Sequence, residues 1–501
     1  MPEVIDIIKK LRAATGAPES ARFAPLFKDA TFTASSSATQ GLTWYDLEPS
    51  VKFLVPLPTP LADKIPRVSG KGGIEADWAA IVGLNGNRVR AGVDQGNRGG
   101  VIAVTTQRYT ATYKTLGLEG SANYQAQWAG QGLDDIYAEA TLRTLQATKL
   151  QEEYTILGGN SSFALNGGNA TPSPTVTDTA TGGLLLHNQA YSVICVALSF
   201  DALNNGTIDA NGVQGMTTRT NADGSTTTYG GGAAKVSIAT SHTTASSPTP
   251  DTYVLNASLA APIVGAFGYA WYVATTAGQE KIVAITTLPS VTITALPAAG
   301  NQLASALGST DGSANQWVFD GLLYQALKAG SGSYVASLSG TLTGDNAGGI
   351  VEIDAMLKSM YDTSRLGPNI LWVSSQEALN IGKKVLAGGS TGTQRFVFTT
   401  MQDALKAGTI VREYLNKWTG ETIEIRIHPN MPAGCILATS DTIPYALSGV
   451  GNVMQMRMRQ DYFQIQWPLR SLKREFGCYL DGVLQHYFPA SMGVIYNITN
   501  G

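Results

Sequence analysis

The chain has 501 residues, which is enough for about two to four domains with large buried cores. Its formal net charge is −3, and 14% of its residues are charged. These values argue against a general nucleic-acid-binding protein, because such a protein normally carries a strongly basic patch. The abundance of glycine (55 residues), threonine, serine and alanine favours β-rich structure and extensive protein–protein contact.

The three cysteines, Cys195, Cys435 and Cys478, are odd in number and far apart, so we predict buried free thiols in a reducing compartment. The N-terminus lacks the apolar core and cleavage site of a secretory signal. The most apolar stretch, Val254–Ala277, is interrupted by polar residues, proline and glycine, which argues against a membrane-spanning helix. We therefore expect a soluble intracellular product.

Residues 1–50 are predicted to form an N-terminal arm. A short helix near Val4–Ala13 precedes the polar tract ATFTASSSATQG, which contains too few apolar residues for a core. Such a segment becomes ordered by lying on another surface, and a frayed terminus is the alternative.

Residues 51–120 are predicted to form a long extended β-hairpin. Prolines in VPLPTPLADKIPRVSGKGG exclude a helix at its beginning. A Gly/Asn-rich middle follows, and then one long strand, VIAVTTQRYTATYKTLGLEG, rich in β-branched and aromatic residues. A hairpin of this length cannot bury a core alone, so we expect it to pack on a neighbouring chain.

Residues 121–160 contain the longest run of good helix formers, and we predict a spine helix there. Asp134 and Asp135 favour its first turn, and Gly158-Gly159-Asn160 favours its end. Helical spacing predicts one apolar face and an opposite, solvated face. The apolar residues are Leu133, Ile136, Tyr137, Ala140, Leu142, Leu145 and Leu150, and the solvated ones are Arg143, Lys149, Glu152 and Glu153.

Residues 161–315 are predicted to form an inserted β-sandwich, because short strand-like runs alternate with turn signals. The stretch GYAWYVATTAGQEKIVAITTLPSVTI looks similar to an immunoglobulin- or fibronectin-type domain, with Trp271 in its core. A spacer or stability clamp is the alternative to a binding role. The strands are predicted at Tyr191–Leu198, Lys235–Ala239, Tyr269–Thr275, Lys281–Thr287 and Ser290–Ala295.

Residues 316–450 have a mixed α/β pattern, and residues 451–501 continue as strands. Ile353, Met356, Leu357, Met360 and Tyr361 mark one face of a helix that stops before Gly367-Pro368. Asn369–Val373 is predicted as a buried strand, and Ser374 with Glu377 forms a capping box for a helix that ends at Gly388-Gly389. Further strands are predicted at Gln394–Phe398, Val411–Leu415 and around the alternating Ile423, Ile425 and Ile427.

A search for catalytic or ligand-binding patterns predicts no enzyme, metal site or cofactor. The histidines, His187, His242, His428 and His486, are scattered without metal-ligand spacing. Ser69–Gly72 lacks the essential parts of a phosphate loop, and Gly388–Gly392 is more typical of a helix end than of an anion site. The acidic pairs Asp134-Asp135 and Glu152-Glu153 are interpreted as solvated or salt-bridged residues of the helix surface.

A cationic cluster in the tail lies on strand-like segments together with Asp461 and Glu475. A nucleic-acid groove needs more excess positive charge and exposed aromatic residues, so inter-subunit ion pairs are the favoured interpretation. The cluster comprises Arg457, Arg459, Arg470, Lys473 and Arg474.

Three stretches carry a resemblance to a known family: Thr59–Gly73 before the hairpin, Gly132–Asn160 in the helix, and Arg457–Ile495 in the tail. Their order resembles that of the major capsid protein of tailed double-stranded DNA bacteriophages, the Hong Kong ninety-seven phage fold. The resemblance covers all of the chain except the insert. It implies an α+β fold with an N-arm, an E-loop hairpin, a P-domain containing the spine helix and a sheet, and an α/β A-domain. The immunoglobulin-like sandwich would be inserted in this fold.

The resemblance also implies a function. The protein would assemble into hexamers and pentamers of an icosahedral head around double-stranded DNA, without sequence-specific binding and without a membrane. Assembly would take place in the host bacterial cytoplasm, and the protein would reside in the virion. Its partners would be a portal, a separate scaffolding protein and a decoration protein. The alternative is a phage tail or surface adhesion protein whose sandwich binds a host glycan.

Some family members cross-link an E-loop lysine to a neighbouring asparagine. The predicted loop tip here has Arg88, Arg90 and Arg98 but no lysine, and arginine cannot supply the nucleophile. Lys71 and Lys114 lie toward the base of the loop. We therefore expect no covalent cross-links, and we take Lys71 and the three arginines as candidate inter-subunit contacts together with the five tail cations.

Overall fold

The computed structural model describes residues 52–130, 135–221, 223–386, 411–445 and 448–501. The chain divides into two units, of which one comprises Met1–Val55 and Gln125–Ile136 and the other comprises Pro56–Tyr124 and Tyr137–Gly501. All the described strands lie in the second unit. The predicted N-terminal helix and the predicted strand Gln394–Phe398 lie outside the described residues.

The helices of the described residues are mostly short, and one is long. The α-helices are α1 (Pro60–Lys64), α2 (Tyr124–Ala129), α3 (Ile136–Gly158), α4 (Phe200–Asn205), α5 (Leu322–Leu327), α6 (Val351–Ser364) and α7 (Ser375–Leu386). Short 3₁₀ helices span Leu165–Gly168, Ala304–Leu307 and Pro489–Ser491. None of the helices within these ranges is both long and apolar enough to cross a membrane.

The strands fall into four larger groups. The hairpin and the strands around it are β1 (Arg67–Ser69), β2 (Glu75–Leu84), β3 (Val104–Thr112) and β4 (Lys114–Asn123). The insert contains β5 (Thr175–Thr179), β6 (Ala190–Leu198), β7 (Thr217–Thr220), β8 (Thr226–Tyr229), β9 (Thr240–Thr243), β10 (Val254–Ser258), β11 (Gly268–Ala274), β12 (Lys281–Thr286) and β13 (Ser290–Ile293). The next group is β14 (Tyr334–Ser337), β15 (Ile370–Val373), β16 (Glu413–Leu415), β17 (Thr422–Ile427) and β18 (Ile436–Thr439). The tail adds β19 (Met454–Gln466), β20 (Lys473–His486) and β21 (Gly493–Tyr496).

A four-stranded sheet with the order β1-β19-β20-β4 is built around the long antiparallel pair β19–β20. Strand β1 pairs in parallel with β19, and β4 pairs antiparallel with β20. One face of this sheet shares a core with α1, α5 and the end of α3, to which Leu61, Ile156, Leu323 and Met456 contribute. Apolar residues at every second position of a strand produce this one-sided burial.

The predicted hairpin is present, but its second limb is shorter than expected. Strands β2 and β3 pair antiparallel from Glu75↔Thr112 to Leu84↔Val104. The long strand predicted from Val101 to Gly120 is divided at Tyr113, whose backbone N–H donates to the Ile74 carbonyl at 3.2 Å. The buried Tyr113 ring joins the main core, so the chain passes there from the hairpin into the four-stranded sheet.

Helix α3 ends at Gly158, as predicted, but its burial contradicts the prediction. Leu142, assigned to the apolar face, is 45% exposed, whereas Glu152 and Glu153, assigned to the solvated face, are 0% exposed. The helix enters the core only near its C-terminal end, where the two carboxylates find polar partners from distant segments.

The insert contains two antiparallel sheets, β13-β10-β5 and β12-β11-β6-β9, which share one core. Trp271 is buried there, and its Nε1–H donates to Thr286 Oγ1 at 2.9 Å. Four of the five predicted strands are present. The prediction of a strand at Lys235–Ala239 is wrong, because its backbone makes only irregular bonds, such as Ser237 N–H to the Cys195 carbonyl at 3.0 Å, and regular pairing begins at Thr240.

A mixed six-stranded sheet has the order β14-β21-β18-β15-β17-β16. Helix α6 buries Ile353, Met356, Leu357 and Met360 beside it, as the spacing predicted. Ser374 caps α7, since its Oγ accepts the Glu377 N–H at 3.2 Å. The tail contributes to both large sheets, because β21 pairs with β14 and β18 rather than with β19 or β20.

Candidate assembly surface and the buried junction behind it

The base of the β2–β3 hairpin is anchored by aromatic contacts. The Trp78 ring stacks on Tyr109 with 5.8 Å between centroids, and it meets the edge of Tyr487 at 5.9 Å. Ala76 and Tyr113 are buried in the main core. The proximal half of the hairpin is therefore fixed to the part of β20 that leads to Tyr487.

The distal half of the hairpin presents large apolar side chains to solvent. Ile81 is 69% exposed, Leu84 is 72% exposed and Val101 is 86% exposed. A bulge between Ile81 and Gly83 inserts one extra residue into β2, which changes the face on which the following side chains lie. Val82, Val93, Ile102 and Val104 add to this surface. A concentration of large exposed apolar side chains in one segment is typical of a protein–protein interface.

Two asparagine side chains brace the tip of the hairpin. Asn85 Oδ1 accepts the Val89 N–H at 2.9 Å, and its Nδ2 donates to the Val89 carbonyl at 3.0 Å. Asn87 Nδ2 donates to the Val101 carbonyl at 2.9 Å, and its Oδ1 accepts the Ala103 N–H at 3.0 Å. These bonds replace strand pairing where the chain leaves the ladder, so the tip has a defined backbone.

The predicted contact residues near the hairpin are exposed cations. Arg88, Arg90 and Arg98 lie in the tip, and Lys71 lies before β2. None of the four forms an ion pair with another residue in the described part of the chain. Their side chains are exposed, as the sequence-based hypothesis requires.

The five tail cations do not form one cluster. Arg459 donates to Asp481 Oδ2 from Nη2 at 2.6 Å, and Lys473 pairs with Glu475 at 2.6 Å. Arg474 Nε donates to the Tyr124 hydroxyl at 3.2 Å, and half-buried Arg457 donates to Gln485 Oε1 at 3.4 Å. Arg470 is exposed at the β19–β20 turn. Four of the five thus make contacts within the chain, and Arg470 remains the most accessible.

A buried junction centred on Glu153 was not predicted from the sequence. Its Oε1 accepts the Leu61 N–H at 2.9 Å and faces His428 Nε2 at 2.7 Å, and its Oε2 accepts the Ala62 N–H at 2.6 Å. His428 Nδ1 accepts the Asn430 N–H at 3.1 Å, so the ring proton lies on Nε2 and is donated to Glu153. One carboxylate thus joins α3 to the first turn of α1 and to the residue after β17.

Glu152 forms the second half of the junction. Its Oε2 accepts from Arg67 Nη2 at 2.5 Å and from the Tyr462 hydroxyl. Arg67 Nη1 also donates to Asp461 Oδ1 at 2.6 Å, and its guanidinium lies 4.6 Å from the Tyr462 ring centroid. Burial raises the pKa of Tyr462, so the phenol remains a donor. The junction ties β1, α3 and β19 together.

One signal in the sequence indicates this arrangement. Two adjacent glutamates in the last two turns of a helix are unfavourable next to the negative end of the helix dipole. Their presence there is explained when each carboxylate has a specific cationic or N–H partner. No group of three or more His, Cys, Asp or Glu side chains within the described residues is placed to hold a metal ion.

His486 lies at the base of the hairpin, beside a cavity of about 600 Å³ that Trp78, Tyr109 and Lys114 also line. Its Nδ1 accepts the Phe488 N–H at 3.2 Å, and its Nε2 has no partner in the described part of the chain. Burial lowers the pKa of His486 to about 3. The imidazole is therefore neutral in the folded protein.

We expect the stability of the protein to fall as the pH is lowered from about 6.5 to 5, in part because of His486. In this window the unfolded chain binds a proton at this histidine and the folded chain does not, so the free energy of unfolding decreases by about 1.4 kcal/mol per pH unit. A His486→Gln variant should have a weaker pH dependence of its urea midpoint between pH 7.5 and 5. His187→Gln, which changes a half-exposed histidine, is the control, and identical pH profiles for wild type and His486→Gln would contradict the assignment.

No protein-family model matches the chain, and no curated protein matches it significantly. Solved structures do match it. The capsid of Myoviridae phage XM1 is 9% identical, with 90% of this chain and 96% of that chain covered at a TM-score of 0.41. The capsid of a native GTA particle is 9% identical, with 93% and 100% covered at 0.43. The capsid of cyanophage P-SCSP1u is 8% identical, with 92% and 94% covered at 0.39. Each of these three solved structures is a capsid, and each match covers at least 90% of this chain.

Proposed function

We propose that the protein is a subunit of a closed shell, and that the β2–β3 hairpin makes the contact on which assembly depends. The exposed apolar surface of the distal hairpin carries this proposal. Ile81, Leu84 and Val101 belong to none of the buried cores in the described part of the chain, and burying each of them would contribute about 1.5–3 kcal/mol. Because the side chains of Asn85 and Asn87 already hold the tip in a defined conformation, less conformational entropy is lost when the hairpin binds a partner.

The positions of the exposed apolar groups favour association between unlike surfaces. The hairpin base packs near Tyr487, at one end of the β19–β20 pair. The turn at the other end of the pair exposes Trp467, Leu469 and Leu472. When two different surfaces of a subunit associate, contacts between copies run head to tail, and they form a ring where the rotation from one copy to the next closes. Rings of this kind are the hexamers and pentamers that the sequence resemblance implies.

The finer features follow from that resemblance. The hairpin corresponds to the E-loop, α3 to the spine helix, the four-stranded sheet to the P-domain, and the six-stranded sheet to the A-domain. The two antiparallel sheets of the insert correspond to an immunoglobulin-like domain. The shell would enclose double-stranded DNA in the virion, with a portal, a separate scaffolding protein and a decoration protein as partners.

Negative-stain microscopy of the purified protein, alone and together with co-expressed phage proteins, tests the proposal. We expect closed, uniform particles or their ring-shaped capsomers at micromolar concentration. A monodisperse monomer under all these conditions, with the hairpin intact on mass spectrometry, would rule out the shell function.

We predict that assembled particles return entirely to monomer when boiled in detergent and reductant. The tip residues 85–100 contain no lysine, and the described cysteines are buried and free, so neither isopeptide nor disulfide bonds between subunits are expected. The measurement is a denaturing gel of purified particles. A ladder of covalent oligomers would contradict the prediction, and mass spectrometry of the ladder would identify the linked residues.

A further inference from the structure

The cavity of about 600 Å³ at the base of the hairpin is lined by separate parts of the chain. Trp78 of β2 and several residues of β3 come from the hairpin, His486 comes from the end of β20, and residues 316–331 include α5. Apolar groups of the lining are Ala111, Phe319, Val483, Leu484 and Pro489. A small-molecule site typically has this size and combines an apolar lining with a few placed polar groups.

Two residues of the lining carry buried ring N–H groups that lack an acceptor. Trp78 Nε1 is buried and has no hydrogen-bond partner among the described residues. His486 Nδ1 accepts the Phe488 N–H at 3.2 Å, so the ring proton lies on Nε2, which is likewise buried and without a partner there. Both groups can only donate, and buried donors in folded proteins nearly always have an acceptor. They therefore favour a ligand that supplies acceptor oxygens.

The charged side chains of the lining favour an anion. Lys114 and Lys328 carry two positive charges, and Asp320 carries one negative charge. Asp320 Oδ2 pairs with Lys328, and its Oδ1 accepts the Ser161 N–H at 2.8 Å, so both of its oxygens are engaged. Lys114 Nζ donates to a neutral group, the Gln316 carbonyl, at 2.7 Å. One positive charge thus remains without a carboxylate in the lining, and a ligand with a single negative charge would balance it.

We propose that this cavity binds a small aromatic monocarboxylic acid. The carboxylate would accept from the N–H groups of Trp78 and His486 and would balance the charge of Lys114. The aromatic body would pack among the rings of Trp78, Tyr109 and Phe319. A dianion such as phosphate would bring one negative charge too many and would lack the apolar body that this lining suits.

A bound acid would strengthen the attachment of the hairpin to the rest of the subunit. It would contact Trp78 and Tyr109 of the hairpin and, at the same time, Gln325 and Lys328 at the end of α5. These groups meet only in the folded chain, so the ligand would stabilise the fold by mass action. All of them belong to one subunit, so binding does not depend on assembly and can be tested separately from the shell function.

Isothermal titration calorimetry of the full chain with 3-phenylpropionate tests the proposal, with thermal unfolding as a second measurement. We expect 3-phenylpropionate to bind and to raise the melting temperature, whereas 3-phenylpropylamine, which has a similar shape and the opposite charge, should do neither. Trp78→Phe keeps an aromatic ring and removes the N–H group, so it should weaken binding by about tenfold. Lys114→Gln removes the positive charge and should also weaken binding, which keeps the proposal testable if Trp78→Phe does not fold.

Matched variants control for the general effects of these changes. Trp317→Phe removes an indole N–H that donates to the Thr228 carbonyl at 3.1 Å outside the cavity, and Lys358→Gln removes an exposed charge on α6. Both should bind 3-phenylpropionate as wild type does.

Three results would overturn the proposal. One is the absence of any response of folded wild-type protein to 3-phenylpropionate, and another is unchanged affinity in both Trp78→Phe and Lys114→Gln. The third is tighter binding of a blocked phenylalanyl-aspartyl peptide than of 3-phenylpropionate, which would assign the cavity to an acidic peptide of a partner protein.

Discussion

Replacing Val82–Thr105 by a two-residue Asn-Gly turn, which joins the paired residues Ile81 and Thr106, is expected to abolish particles and to leave a folded subunit. The removed segment contains the tip and much of the apolar surface, but it contributes nothing to the buried cores. Ala76, Trp78 and Tyr113, which anchor the base, remain, and Asn-Gly is well suited to closing a two-residue hairpin. Circular dichroism would report the fold, and sedimentation with electron microscopy would report assembly.

A matched pair of point variants separates the chemistry of this surface from loop length. We expect Ile81→Ser, Leu84→Ser and Val101→Ser, combined, to lower the particle yield by at least about tenfold, because tenfold corresponds to only 1.4 kcal/mol. The control makes the same change at three other exposed apolar positions, Leu184, Ile208 and Ile238 of the insert. Wild-type particles from both the shortened hairpin and the triple serine variant would refute the role of the hairpin.

Glu153→Ala is expected to lower the free energy of unfolding by about 3–5 kcal/mol, the usual cost of removing one partner from a buried charged network. The substitution leaves the N–H groups of Leu61 and Ala62 and the Nε2–H of His428 without an acceptor in a fully buried place. It also frees the segment that leads into the hairpin from α3. Urea unfolding followed by tryptophan fluorescence measures the loss.

The control for Glu153→Ala is Asp362→Ala on α6. Asp362 forms an exposed pair with Lys358 at 2.8 Å, four residues earlier on the same helix, and exposed pairs of this kind contribute little to stability. Both variants remove a carboxylate, from a buried position in Glu153→Ala and from an exposed position in Asp362→Ala. Equal and small effects would show that the Glu153 junction is not important for stability.

Local chemistry accounts for what the sequence could predict. Prolines and glycines predicted the position of the hairpin, and alternating isoleucines predicted β17. Ser374 predicted where α7 begins. The predicted helix face of α6 is buried, because its spacing is regular and one neighbouring sheet covers it. These features depend on residues a few positions apart, where propensity and periodicity are reliable.

Long-range partners account for what it could not predict. Glu153 binds groups 91, 92 and 275 residues away, and no local pattern distinguishes it from a surface glutamate. The apolar residues in the first half of α3 predicted a buried stripe, yet burial is concentrated near its polar C-terminal end. Strand β21 likewise leaves the tail for another sheet, which its sequence does not show. The candidate contact residues were identifiable as cations, whereas their division into internal and accessible groups required the structure.

The attachment of the hairpin has a mechanical consequence. Its first limb follows β1, which is bonded to β19, and its second limb continues through the single residue Tyr113 into β4, which is bonded to β20. Both limbs are therefore connected to the β19–β20 pair, and on the β4 side the connection is only one residue long. A pulling force on the tip would be shared between the hydrogen bonds of the β1–β19 pair and those of the β4–β20 pair. Neither pair would have to bear the whole force and separate first. A shell built from such subunits would transmit internal pressure from one subunit to the next as strain along these ribbons.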